Sequence, residues 1–213
     1  MLARRDRTAA PRLQGQWSGE SLKPNAPFSW RNVEGRRSRL LARHLAHTTA
    51  VHRFLARMAE QARTAGWRFR QMDPPHRATR HFRHGNELRS IHPDAFGVLR
   101  AVGKRQAFFL EWERRAVRPG TMAARLAPYL RYYAEKRPVD DHGVVPLVLI
   151  VFDDALAEAR FHAVARREMR AWRVKLPLWV THTEALEQYG PLGAVWRNPD
   201  HLEPTFALAP QEA

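Results

Sequence analysis

The sequence contains no cysteine. Disulfides, thiolate metal sites and cysteine nucleophiles are therefore excluded, and the chain suits a reducing compartment. Long apolar runs are missing too. The longest, Val144 to Phe152, is far too short for a membrane span and is interrupted by Pro146. The opening MLARRDRTAAPRLQG has no apolar stretch of the kind a secretory signal needs, so a cytoplasmic location is expected. There is no glycine-rich phosphate loop or dinucleotide fingerprint, because Gly97 and Gly103 stand alone. No Gly-x-Ser-x-Gly elbow occurs. Nucleotide hydrolysis, hydride transfer and serine-hydrolase chemistry are all disfavoured.

Lysine is scarce, confined to positions 23, 104, 136 and 175. The chain is nonetheless strongly basic: Lys+Arg is 36 and Asp+Glu is 21, a formal net charge of +15. Arginine supplies nearly all of it. An excess of this size favours a polyanionic partner, DNA first of all. The competing explanation is an arginine-rich composition inherited from GC-rich coding DNA.

Residues 1–35 mix Arg, Pro, Gly, Ser and Asn without periodicity and read as a flexible basic arm, with Trp17, Phe28 and Trp30 as candidate anchors. From Arg36 to about Ala65 apolar residues recur at helical spacing: Leu40, Leu41, Leu45, Val51, Phe54, Leu55, Met58. Gly66 is a plausible stop, and Trp67 to Arg70 alternates as a short strand does. Residues 73–90, with Pro74, Pro75 and several histidines, read as a loop leading into a weak strand. Two apolar runs, Ile91–Arg100 and Ala107–Arg114, flank a turn at Gly103-Lys104 and predict a β-hairpin.

Thr121 is a candidate N-cap for a helix over 122–136. Pro138 to Gly143 reads as a polar break and Val144 to Phe152 as a strand buried on both faces. Asp154 to Trp172 reads as a helix, Leu176 to Thr181 as a strand, Thr183 to Tyr189 as a short helix and Ala194 to Trp196 as a last strand. From Asn198 a frayed tail is expected. The predicted organisation is thus an arm over 1–35, an α/β domain over 36–197 with a mixed central sheet flanked by helices, and a tail over 198–213.

Three carboxylates stand out. Asp94 opens one hairpin strand, and Glu111 and Glu113 lie two apart on the other, so those two share a face. Across a hairpin Asp94 comes near Glu111. An oxygen-rich cluster of this kind suits Mg²⁺ or Mn²⁺. The alternative is ion pairing of Glu111 and Glu113 with Arg100, Arg114 or Arg115. His92, two residues before Asp94, is a further candidate. His44, His47, His52, His76, His81 and His84 have no His-Glu-x-x-His spacing, so zinc is disfavoured.

The run Pro93-Asp-Ala-Phe-Gly-Val-Leu99, then Ala107-Phe-Phe-Leu-Glu-Trp-Glu-Arg-Arg115, then Arg118-Pro-Gly-Thr-Met-Ala-Ala-Arg-Leu-Ala-Pro-Tyr-Leu-Arg-Tyr-Tyr133 resembles the replication-relaxation family. Leu45-Ala46-His47, followed by a helix pattern, and the apolar strand at 144–152 extend the resemblance over about residues 40 to 172. It implies a plasmid or mobile-element protein with a sheet similar to the PD-(D/E)xK restriction-endonuclease core. In that motif Pro93-Asp94 corresponds to the first pair, Glu111 to the acidic position and Glu113 to the position that is otherwise lysine. The departure at Glu113 removes the cation that orients the attacking water, with Lys104, Arg115 and Arg131 as the substitutes to consider. The winged-helix region that members carry has no counterpart in residues 1–35.

The resulting expectation is a DNA-binding accessory protein of plasmid replication or mobilisation. It would work with other replication or mobilisation proteins and without a membrane. Asp94, Glu111 and Glu113 form its nuclease-like metal site, and Lys104, Arg105, Arg114, Arg115 and Arg131 contact DNA. An active Mg²⁺-dependent DNA endonuclease and a non-catalytic protein-interaction scaffold are the alternatives.

Overall fold

The computed structural model describes residues 36–113, 118–205 and 208. The chain divides into two compact units, 1–40 and 41–213. Of the first, only residues 36–40 are described, as the opening of a helix; the sheet and the helices packed on it belong to the second. The predicted arm over 1–35, including Trp17, Phe28 and Trp30, lies outside the described residues, as do Arg114 and Arg115.

The elements in chain order are α1 (Arg36–Thr64), β1 (Arg68–Asp73), α2 (Pro75–Ala78), β2 (Arg80–His84), β3 (Glu87–Ile91), β4 (Ala95–Ala101), β5 (Lys104–Glu113), α3 (Pro119–Ala134), α4 (Arg137–His142), β6 (Leu147–Phe152), α5 (Ala155–Trp172), β7 (Leu178–His182), α6 (Thr183–Tyr189), β8 (Trp196–Asn198) and β9 (His201–Thr205). Seven strands form one sheet in the order β1-β4-β5-β6-β7-β8-β9. β5, β6 and β7 run parallel and the remaining pairs are antiparallel. The predicted mixed α/β architecture is therefore the observed one.

Strand alternation sorts the core into two layers. Ala107 and Phe109 of β5 pack with Met122, Leu126, Tyr129 and Leu130 of α3 and with Phe161 and Val164 of α5. Phe108 and Leu110, one position out of phase, pack with Val51, Phe54, Leu55 and Met58 of α1 and with Leu186 of α6. Helices thus cover both faces, which is why β6 reads Leu-Val-Leu-Ile-Val-Phe without a polar residue. Gly97 is required by this packing. It pairs directly with Phe108, and any Cβ on it would run into the Phe108 ring.

Several local expectations shift. The β4–β5 hairpin forms with Ala101 paired to Lys104, so its two-residue turn is Val102-Gly103, with Gly103 at φ 69°. Helix α3 starts at Pro119, ahead of Thr121, because proline at the first helical position brings a preset φ and lacks only an N–H that has no helical partner there. The stretch read as a loop, 73–90, holds α2 and a separate two-stranded sheet of β2 and β3. The polar break at 138–143 is largely helix α4. The stretch read as a frayed tail from Asn198 carries β9, paired with β8.

Candidate functional site

Asp94, Glu111 and Glu113 meet at one end of the sheet. Ala95 pairs with Leu110, and the Asp94 backbone N–H donates to the Leu110 carbonyl at 2.9 Å, which sets Asp94 beside Glu111. This is the carboxyl end of the parallel strands β5 and β6, the end at which open α/β sheets place their ligands.

Their partners are protein groups. His47 Nε2 donates to Asp94 Oδ1 at 2.9 Å, and the Trp112 backbone N–H donates to Asp94 Oδ2 at 2.7 Å. The Tyr129 hydroxyl donates to Glu111 Oε1 at 2.6 Å. Arg125 places its Nε 3.2 Å from Glu113 Oε2 and an outer guanidinium nitrogen 3.9 Å from Glu111 Oε2. His47 comes from α1 and Tyr129 and Arg125 from α3, so the cluster is assembled from both helical layers and the hairpin.

Burial beneath α3 pushes the Glu111 carboxyl up to about 8, and the neighbouring Asp94 charge adds to the effect. The Tyr129 hydrogen bond and Arg125 oppose the shift without cancelling it. Glu111 is thus largely protonated at neutral pH. Burial and the adjacent Glu111 push the Tyr129 hydroxyl well above its ordinary range, so it stays a donor.

The three carboxylates open onto different spaces. Asp94 borders a cavity of about 470 Å³ shared with His44, His47, His52 and Asp73. Glu111 and Glu113 line a separate, partly open space of about 20 Å³ with Met122, Arg125, Tyr129 and Phe161. That volume admits about one water. Among the described residues no group of three His, Asp or Glu side chains is disposed to hold a metal ion. Magnesium accepts one or two carboxylates when waters or substrate phosphates complete its shell. Here burial raises the Glu111 carboxyl, Glu113 faces Arg125, and Asp94 opens onto a different space from the other two, so as placed the three side chains do not present one shared site for Mg²⁺ or Mn²⁺.

The remaining predicted residues fall elsewhere. His92 is exposed and contacts Ser90 Oγ at 2.7 Å and Thr79 Oγ1 at 3.4 Å, away from Asp94. Lys104 and Arg105 sit at the opposite end of β5, roughly 20 Å from Glu111 at the usual strand rise. Arg131 lies over the Trp172 ring at 5.3 Å. Neither Lys104 nor Arg131 takes the place of the absent motif lysine; among the described residues Arg125 is a cation placed at Glu111 and Glu113. Arg100, considered as an ion-pair partner of Glu111 and Glu113, lies towards the far end of β4 beside Arg68 and Arg105.

Sequence reasoning missed His47, Tyr129 and Arg125 as site residues. His47 carried a signal, since it stands in the Leu45-Ala46-His47 motif. Tyr129 and Arg125 are four apart on α3 and share a helix face, but nothing in their spacing announces a carboxylate partner.

A second polar cluster lies between α5, β7 and β8. Glu158 is 3% exposed and accepts from His162 Nε2 at 3.3 Å, His182 Nδ1 at 2.5 Å and Arg197 at 3.1 Å. Those bonds and the Arg197 charge outweigh burial and hold its carboxyl below the ordinary range. Glu158 is thereby fully engaged, and its role is to fasten three elements together.

Among the described residues no helix is long and apolar enough to cross a membrane. No curated protein and no solved structure matches the chain, so likeness to the restriction-endonuclease fold rests on the motif alone. One family model does match, replication-relaxation, over residues 16–148. That span covers most of the chain, from α1 through the hairpin, both carboxylate-bearing segments and α3 into β6, and the chain belongs to the replication-relaxation family.

Proposed function

We propose that this protein is a DNA-binding accessory factor of plasmid replication or mobilisation, acting by holding DNA and not by cutting it. Family membership carries the reading. The net charge of +15 supports it, because so large an arginine excess draws the phosphate backbone and releases its counterions.

The carboxylate cluster has a different task in this reading. A metal-assisted phosphodiesterase needs a cation beside the scissile phosphate and a base able to take a proton from water. Burial raises the Glu111 carboxyl to about 8, Glu113 is engaged by Arg125, and the space beside them admits about one water. The cluster instead ties α1 and α3 to the end of the hairpin.

The test is the salt dependence of binding between the full chain and a mixed-sequence DNA duplex of about 30 base pairs. A backbone binder loses affinity steeply, with a slope in log salt near −0.9 per phosphate contacted. Affinity that is absent at low salt, or insensitive to salt, would overturn the reading and leave the scaffold alternative.

A further inference from the structure

Three arginines stand side by side across three strands. Arg68 of β1 pairs with Arg100 of β4, and Arg100 pairs with Arg105 of β5. All three point to the same sheet face. Arg100 is two residues beyond Val98, and Arg105 two before Ala107, both of the α3-side core; Phe69, next to Arg68, packs on the other side. Directly opposed residues on neighbouring strands have Cα atoms about 5 Å apart, a spacing at which like charges repel and destabilise the sheet.

Some other described arginines have carboxylate partners: Arg80 with Asp73, Arg125 with Glu113, Arg137 with Asp141 and Arg197 with Glu158. Exposed helix arginines such as Arg43, Arg63 and Arg160 have none among the described residues. What sets the row apart is its direct like-charge opposition across three strands. Among the described residues Arg68, Arg70, Arg100 and Arg105 have no such ion pair, and all four are exposed. Arg70, Arg100 and Arg105 line an open pocket of about 460 Å³ with Gln71, Val98, Gly103 and Lys104, and no described carboxylate borders it. Gly103 lets the hairpin turn tightly at the pocket rim with φ 69°, so β5 reverses beside Arg100 without a bulky loop over it.

A row of like charges that costs stability and that no described carboxylate answers is a row built for a counter-charge supplied from outside. We propose that the Arg68–Arg100–Arg105 row, with Arg70 at its edge, is the surface that grips the DNA phosphate backbone. This deepens the DNA-binding reading above and rests on it. The surface lies at the opposite end of β5 from Asp94, Glu111 and Glu113, so bound DNA would not reach the carboxylates by this grip. Guanidinium groups suit the task because each presents a planar fork of donors to phosphate oxygens.

The experiment compares three full-length proteins on the same 30-base-pair duplex across a salt series. One is wild type, one carries Arg68→Gln, Arg100→Gln and Arg105→Gln, and one carries Arg43→Gln, Arg63→Gln and Arg160→Gln. The last group is exposed on α1 and α5 and removes the same charge. The row variant is expected to lose at least tenfold in affinity at about 0.1 M salt and to flatten the salt slope by about 2 to 3, one per lost phosphate contact. The control variant keeps a slope near wild type.

Thermal unfolding supplies an independent readout. At low salt the row variant should melt at or above the wild-type temperature, since relieving like-charge opposition removes a cost. Equal losses in both variants, or a row variant that binds as wild type does, would overturn this surface while leaving DNA binding intact. A row variant that melts well below wild type would contradict the repulsion argument. No DNA binding by wild type would instead remove the underlying reading, and this surface with it.

Discussion

Glu111 shows how one buried side chain sets a measurable property of the whole protein. Its ordinary carboxyl value is 4.5 and its folded value is about 8. The folded chain therefore holds a proton that the unfolded chain releases, and the sign follows directly. The contribution is fully favourable below 4.5, declines as pH rises between 4.5 and 8, and is gone above 8. This is opposite to an ion-paired carboxylate such as Glu158, whose contribution is present above the ordinary value and lost as acid protonates it. Glu111→Gln is neutral at every pH and keeps an oxygen to accept from Tyr129. The variant should unfold at a higher temperature than wild type at pH 8 and close to it at pH 5, a difference on the order of 1 to a few kcal/mol. Melting curves at the two pH values check this. A variant less stable than wild type at pH 8 would mean that burial does not hold the Glu111 proton.

The β4–β5 hairpin is the element on which both proposed roles hang, since it carries the carboxylates at one end and arginines at the other. Its internal packing depends on Gly97, whose missing side chain leaves room for the Phe108 ring across the pair. Gly97→Ala should destabilise the protein by about 1–3 kcal/mol through overpacking. Phe108→Leu added to it should recover part of the loss, and thermal unfolding of the single and double variants decides the matter. Additive losses would show that the ring is not what Gly97 makes room for.

The long elements were legible because their patterns are strong. The α1 repeat, the apolar β6 run, the two halves of the hairpin and α5, with Asp154 capping at 2.8 Å, all lie where periodicity puts them. The small β2–β3 sheet was not, because Arg80–His84 and Glu87–Ile91 are mostly polar and bury little beyond Phe82 and Ile91. The convergence of Asp94 with Glu111 was also legible, since a hairpin fixes register. That His47 and Arg125 would satisfy these carboxylates was not. His47 lies far from Asp94 along the chain, and both contacts depend on how helices dock against the hairpin.

At the scale of the whole molecule the sheet has two ends of opposite character. The carboxylate end is closed on itself: His47 and the Trp112 amide hold Asp94, Tyr129 holds a protonated Glu111, and Arg125 holds Glu113. The opposite end carries the opposed arginines that no described carboxylate answers. The proposal of binding without cleavage rests on that division. The measurement that tests it most directly is incubation of the full chain with supercoiled plasmid in Mg²⁺ or Mn²⁺, beside an Asp94→Asn, Glu111→Gln double variant. Both proteins are expected to retain salt-sensitive DNA binding, and neither to nick or linearise the plasmid. Cleavage by wild type that the double variant lacks would contradict binding without cleavage, and would show that the carboxylates assemble a cation site once DNA is bound.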